Sequence, residues 1–552
     1  MKKSYLLLFY SIFAVFIHFS AVAQISEQGT PPSMEYSGSL SHHPVVTVPP
    51  PDIELLKSED GFYQKNAVAY RFAESIPVKI DFAKEGLWES LPDGRRICRL
   101  SIKSPGAQAL ILYYSRFKIP AGGNLFLYSA DKKQIIGAFS SNTNSADKSF
   151  ATEMIKGEEV ILEYSEPFAL SVKPQIVINE VGYVYRTADR FFNMRGFGTS
   201  DTCEVNVNCP EGEEWQYQKN GVVRIIVKSG FSSFWCSGSI VNNARNDCTP
   251  FLLTADHCGP HASEENYDQW VFYFRYEGDD CDDPESDSTF KSYTIVGAKK
   301  LAGNGGAAGK ASDFKLLKLN ENIPATYNPF YNGWSIANEP SPSGTSIHHP
   351  DGDIKKISTY TDTLKSSNWG TIPNTHWRVI WAQTETNWGV TEGGSSGSPL
   401  FDNNGRIIGQ LTGGEASCKY VYKPDYYGKF SYSWDGVPTA DSTMLKPWLD
   451  PDDTGITEID GIVSINEPIK RSSALYLYPN PAEEAIYIRD ERITGNPVQV
   501  IITNLHGQEV LIEHFSERAD NMINLNVNTL KKGIYIVSII INDELRTAKL
   551  IR

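Results

Sequence analysis

At 552 residues the chain is too long for a single hydrophobic core, so two to four domains are expected. A net charge of −15 argues against a nucleic-acid partner, which needs a concentrated basic surface. Aromatic residues make up 12% of the chain, and Gly, Pro, Thr and Asn are abundant, a composition that favours β-rich globular domains over disorder.

Lys2 and Lys3 precede an apolar stretch from Tyr5 to about Phe19, followed by Ala21-Val22-Ala23. This order of charged region, short apolar region and small-x-small site marks residues 1–23 as a signal peptide, and export makes disulfides plausible. Residues 24–60, rich in Pro, Ser and His, read as an irregular lead. From Phe72 to Val184 short alternating runs such as 109–114 and 124–128 are separated by Gly- and Asp-containing turns, as in a β-sandwich. That segment holds no cluster of catalytic residue types, and residues 24–195 read as a β-rich propeptide. Residues 196–463 show short strands and turns consistent with a two-barrel all-β enzyme. A polar linker (464–474) leads to a last small β unit (475–552).

The chemistry concentrates in the central segment. His257 follows the hydrophobic strand Phe251-Leu252-Leu253 and precedes Cys258. Cys258 can pair with Cys236, closing a loop of about twenty residues worth ~3 kcal/mol and pinning the histidine. Asp313 opens an alternating strand. Ser396 lies between Gly394 and Gly397, where glycine permits a turn that aims the N–H groups of Gly394 and Ser396 at one point, an oxyanion hole. Ser395 and Ser398 lack that spacing. Asp256 adjoins His257, but neighbours on a strand face opposite ways, so Asp313 is the better orienter. A serine hydroxyl needs an imidazole to take its proton, and the imidazole needs a carboxylate to fix its tautomer. The chain order His, Asp, Ser is that of chymotrypsin-type serine peptidases.

Residues 203–462 resemble the Achromobacter-type bacterial lysyl endopeptidases of the trypsin-like superfamily. The likeness rests on 203–212, 238–243, 254–258, Ser312-Asp313-Phe314, 347–350, 389–392, 394–399, 409–411 and 448–451. It implies a chymotrypsin-like double β-barrel, with His257 as general base, Asp313 as its orienter and Ser396 as nucleophile. It also implies the disulfides Cys203–Cys418, Cys209–Cys281 and Cys236–Cys258. Spacing alone leaves 15 pairings of these six cysteines open, and Cys98 and Cys248 are left without an assigned partner. No cofactor and no metal are implied.

The position six residues before the nucleophile, where vertebrate trypsins carry their S1 aspartate, is Val390. The resemblance places the S1 carboxylate at Asp425 instead, the partner of a substrate ammonium. The expected activity is hydrolysis after Lys, with broader Lys/Arg cleavage, or a catalytically inactive surface binder, as the alternatives. Trp369 corresponds to a family tryptophan near the active-site histidine, but the histidine it stacks on is replaced by Thr412. Ser395 stands where vertebrate zymogens carry the aspartate that pairs with a new N-terminus, so activation by that ion pair is excluded. His42-His43 and His348-His349 are adjacent pairs and do not offer two ligands on one face. The acidic run 279–283 with Glu285 and Asp287 lacks the EF-hand pattern and reads as a solvated loop.

The C-terminal unit resembles the type A sorting domain of the type IX secretion system, through Tyr478-Pro479-Asn480-Pro481, 504–507, 533–537 and 549–552. That likeness implies the secretion machinery as a partner and an extracellular or surface location.

Overall fold

A computed structural model describes residues 29–65, 69–143, 149–167, 170, 172–186, 200–284, 293–305, 311–436, 440–463, 475–482, 484–490, 493–504, 509–516, 522–541 and 544–552. The expected signal peptide, the expected Arg195–Gly196 boundary, the expected 464–474 linker, Glu285 and Asp287 lie outside them. The described chain is built mainly from strands, in two compact units divided after Pro468.

The first half of the enzyme places Val222–Ser229, Ser232–Val241, Phe251–Ala255 and Phe314–Leu319 side by side. The second half is a nine-stranded sheet that includes Gly344–His348, Pro399–Asp402, Ile407–Gly414, Asp425–Lys429 and Ile372–Val379. These two all-β halves form the chymotrypsin-like double barrel, with separate cores around Ile225 and Leu252 and around Trp377 and Leu411. Arg224 joins them. Its guanidinium lies 3.6 Å from the Tyr276 ring and 4.6 Å from the Trp235 ring, and Nη1 donates to the Gly352 carbonyl at 2.6 Å. Burial strengthens such cation–π contacts.

The segment expected to be a propeptide contributes a sheet containing Arg96–Lys103, Glu159–Glu166 and Asn124–Ser129. Its other strands do not form a sheet of their own. Tyr70–Asp81 lies between Gln175–Val184 and the barrel strand Ser232–Val241, with Tyr70 opposite Trp235. Strand pairing therefore runs across the boundary drawn in the sequence. Phe72 stacks on Trp235 at 4.1 Å, and the fully buried Lys228 donates to Glu180 at 2.7 Å and Ser75 at 2.8 Å. The lead 24–60, expected to be irregular, contains the start of a helix, Ile53–Lys65. Asp52 explains it, accepting the Leu55 N–H at 3.0 Å as an N-cap.

The second unit packs Tyr476–Tyr478, Ala485–Arg489 and Met522–Asn526 as one sheet. Glu509–Phe515, Val498–Asn504, Ile534–Ile541 and Glu544–Ile551 form the other. Burial alternates along Ile534–Ile541, as period-two patterning requires, and the inward residues Val537 and Ile539 join Ile486, Val500 and Ile502 in a β-sandwich core.

Candidate active site

His257 and Asp313 stand at the ends of neighbouring strands. Phe251–Ala255 runs antiparallel to Phe314–Leu319 with Ala255 opposite Phe314, so the residues just past and just before that pair come together. His257 Nδ1 lies 2.6 Å from Asp313 Oδ2, and the His257 backbone N–H donates to Oδ1 at 3.0 Å. Both oxygens of one carboxylate thus fix the imidazole and the main chain that carries it. Asp313 has φ +63°, a left-handed conformation that aspartate tolerates better than most residues. Gln410 Nε2 donates to the Ser312 carbonyl at 2.6 Å and ties this turn to the second barrel. Asp256 faces away and accepts from Lys300 at 2.9 Å, as its place on the strand predicts. Lys315, wholly buried, donates to the carbonyls of Cys258 and Gly259 at 2.6 and 3.1 Å and holds the loop behind the histidine.

Two turns shape the nucleophile loop. Ser395 N–H bonds to Glu392 O at 3.1 Å and Ser398 N–H to Ser395 O at 3.0 Å. In each turn the third residue is a glycine with positive φ, Gly394 at +92° and Gly397 at +82°, as a type II turn demands. Space makes the same demand. A Cβ on Gly397 would lie 2.2 Å from Thr254 Oγ1 and 2.7 Å from Ala255 N, so only glycine lets the serine turn rest against the strand leading to His257. Ser237 N–H donates to Ser396 O at 2.8 Å, and the Cys236–Cys258 disulfide closes the arrangement.

Of the three serines here, Ser395 and Ser398 are buried and Ser396 is partly exposed. Ser398 Oγ receives a hydrogen bond from Ser346 at 3.4 Å. Ser395 Oγ accepts the Glu392 N–H at 3.1 Å and lies 2.8 Å from His348 Nδ1, while His348 Nε2 meets Ser358 Oγ at 2.8 Å. Burial pushes His348 down to about 3, so the imidazole is neutral. A neutral His–Ser bond thus anchors the loop where vertebrate enzymes use an ion pair. The sequence reading missed this role of His348.

Asp425 is 1% exposed. Its Oδ2 accepts the Trp381 indole N–H at 2.6 Å and the Thr391 hydroxyl at 2.8 Å, and Oδ1 accepts the Ala416 N–H at 3.2 Å. Burial raises its pKa to about 6, held back by these donors. No cation contacts it among the described residues. Val390 is buried in the adjoining apolar core.

Thr412 does not leave Trp369 without an imidazole. His376, on Ile372–Val379, reaches the same place from a different strand, 2.7 Å from Thr375 Oγ1 through Nδ1 and 3.0 Å from Thr412 Oγ1 through Nε2. Its ring lies 6.3 Å from Trp369, tilted by 37°. Burial lowers His376 to about 4. Two acids also flank the nucleophile loop. Asp351 and Glu392 are pushed up to about 7 and about 8 by burial and by neighbouring carboxylates.

All three expected disulfides are present, Cys203–Cys418, Cys209–Cys281 and Cys236–Cys258. Cys98 and Cys248 form no disulfide among the described residues. In the acidic run, Asp283 accepts from Asn206 and Lys356, both at 3.1 Å.

Residues 197–428 match the family described as lysyl endopeptidase, C-terminal domain, and residues 476–552 match the secretion system C-terminal sorting domain. The chain is 28% identical over 367 residues to a lysyl endopeptidase of Pseudomonas aeruginosa, covering 62% of this chain and 75% of that protein. Among solved structures it is similar to the thermostable serine protease AL20 of an extremophilic microorganism, at 15% identity and a TM-score of 0.27, covering 38% of this chain and 91% of the other. It is also similar to the protease Anisep of Arthrobacter nicotinovorans, at 18% identity and a TM-score of 0.28, covering 38% and 90%.

Proposed function

We propose that this serine endopeptidase, a secreted protein, cleaves peptide bonds on the carboxyl side of lysine through His257, Asp313 and Ser396. The observation that carries the reading is the buried His257–Asp313 pair, 2.6 Å apart, beside the one serine of its loop that is open to solvent. With Nδ1–H committed to Asp313, the other ring nitrogen is the unprotonated one and serves as base for the Ser396 hydroxyl. Ser396 Oγ attacks the scissile carbonyl, and the resulting oxyanion is met by the N–H groups of Gly394 and Ser396. Such a donor is worth ~10²–10³ in rate. His257 then returns the proton to the leaving amine, and water deacylates the enzyme by the reverse sequence.

Asp425 supplies the charge at the floor of S1. A buried carboxylate that lacks a cation favours a substrate bringing one, because an uncharged side chain leaves it unmatched. The acidic, disulfide-bonded chain is read as a precursor. In that reading residues 1–23 are a signal peptide, 24–195 the propeptide, 196–463 the enzyme, 464–474 a linker and 475–552 the sorting domain that engages the type IX secretion machinery. Fluorophosphonate labelling of wild type and Ser396→Ala, followed by P1 profiling on a peptide library, tests the proposal. Labelling of the alanine variant, or a profile without lysine preference, would refute it.

A further inference from the structure

We propose that Trp381 and Thr391 set a preference for lysine over arginine by occupying one oxygen of Asp425, so that S1 serves one ammonium but not a two-pronged guanidinium. This inference rests on Asp425 being the floor of S1. An ionised carboxylate has about four lone-pair positions, two on each oxygen. Oδ2 already takes the Trp381 N–H at 2.6 Å and the Thr391 O–H at 2.8 Å. Oδ1 takes the Ala416 N–H at 3.2 Å and has at most one position left. The backbone N–H of Thr391 adds to the compensation of the charge.

Arginine gains from a carboxylate by laying two parallel N–H···O bonds, one on each oxygen. At Asp425 the second prong would meet an oxygen that is already full, and a guanidinium N–H would stay buried and unmatched. An ammonium is a compact charge with rotatable donors and needs only the open position on Oδ1. The donors are not free to swing aside. Trp381 is 1% exposed and packs edge-on against Tyr427 at 6.1 Å. Gly414 faces Asp425 across the strand pair, and a Cβ there would lie 1.9 Å from Oδ1. Glycine thus keeps open the one oxygen that can accept.

The test compares kcat/KM on matched Lys and Arg peptides for wild type, Trp381→Phe, Thr391→Val and Asp425→Asn, each normalised to the active fraction titrated with a fluorophosphonate. Freeing a position on Oδ2 is expected to raise Arg turnover in absolute terms by roughly tenfold in Trp381→Phe and in Thr391→Val. A general loosening of the pocket would lower both substrates together. Thr391→Val keeps the shape of the side chain, so the test stands even if Trp381→Phe folds poorly. Unchanged or reduced Arg turnover in Thr391→Val overturns the inference. If Asp425→Asn retains Lys turnover, the S1 reading itself fails. If Asp425→Asn loses it while Arg turnover stays flat in the other variants, only the role of Trp381 and Thr391 is lost.

Discussion

Asp313 and Asp425 are both buried carboxylates with contrasting surroundings, and the proposed function gives them different work. Asp313 meets a titratable partner, and both its oxygens hold His257, one by the ring and one by the main chain. Among the described residues Asp425 meets only neutral donors, the Trp381 indole, the Thr391 hydroxyl and the backbone N–H groups of Ala416 and Thr391. The first pocket is complete before substrate arrives. The second has its hydrogen bonds without its counter-charge, which is why burial can push it up to about 6. In the proposed function, the carboxylate whose two oxygens are both committed to one histidine orients, and the one that is left without a cation selects.

The largest effect that can break this contrast is expected from Asp313→Asn. The amide can hold the wrong tautomer of His257, and kcat should fall ~10⁴-fold with little change in KM. A loss below tenfold would mean that Asp313 is not the orienter. Asp425→Asn should act on selectivity instead. Its kcat/KM on Lys peptides should fall ~10²–10³-fold, while an activated ester with an uncharged P1 group should be spared. Equal losses on both substrates would place Asp425 in the catalytic machinery and erase the distinction.

A smaller loss, roughly ten- to a hundredfold in kcat, is expected for Ser395→Ala, which leaves Ser396 in place but releases the loop from His348. Full activity in that variant would show that the two glycine turns alone hold the oxyanion hole. The mildest test is pH. Asp425 has a raised pKa, so its charge is present above about 6 and lost below it. Lys-peptide kcat/KM should therefore carry an acid limb near pH 6 that the uncharged ester lacks, and identical profiles for the two would count against Asp425 as the S1 charge.

The all-β class was legible in the short strands and turns of the chain, whereas the three disulfides came from the family resemblance, because spacing alone leaves 15 pairings open. The proposed His257, Asp313 and Ser396 each sit in a short local pattern, a strand end or a Gly-flanked turn, that does not depend on knowing the fold. His376 and His348 could not be read in that way. Each reaches the site across strand pairs from a distant stretch of sequence, and an isolated buried histidine carries no local signature. Strand pairing continues across the boundary expected at 195, because Tyr70–Asp81 pairs along most of its length with Gln175–Val184 and near its start with Ser232–Val241.

That shared sheet has a consequence for the chain in transit. A bare strand edge is a template for pairing with other molecules, and proteins must hide or blunt it. Here the rim of Ser232–Val241 between Ser232 and Trp235 is capped by a strand that is synthesised more than 150 residues earlier, Tyr70–Asp81. The covering strand therefore precedes in the chain the rim that it covers. Removal of residues 24–195, as the proposed function has it, would uncover Trp235 and the Lys228 ammonium together with the strand rim. Those first strands keep that edge from pairing with other molecules.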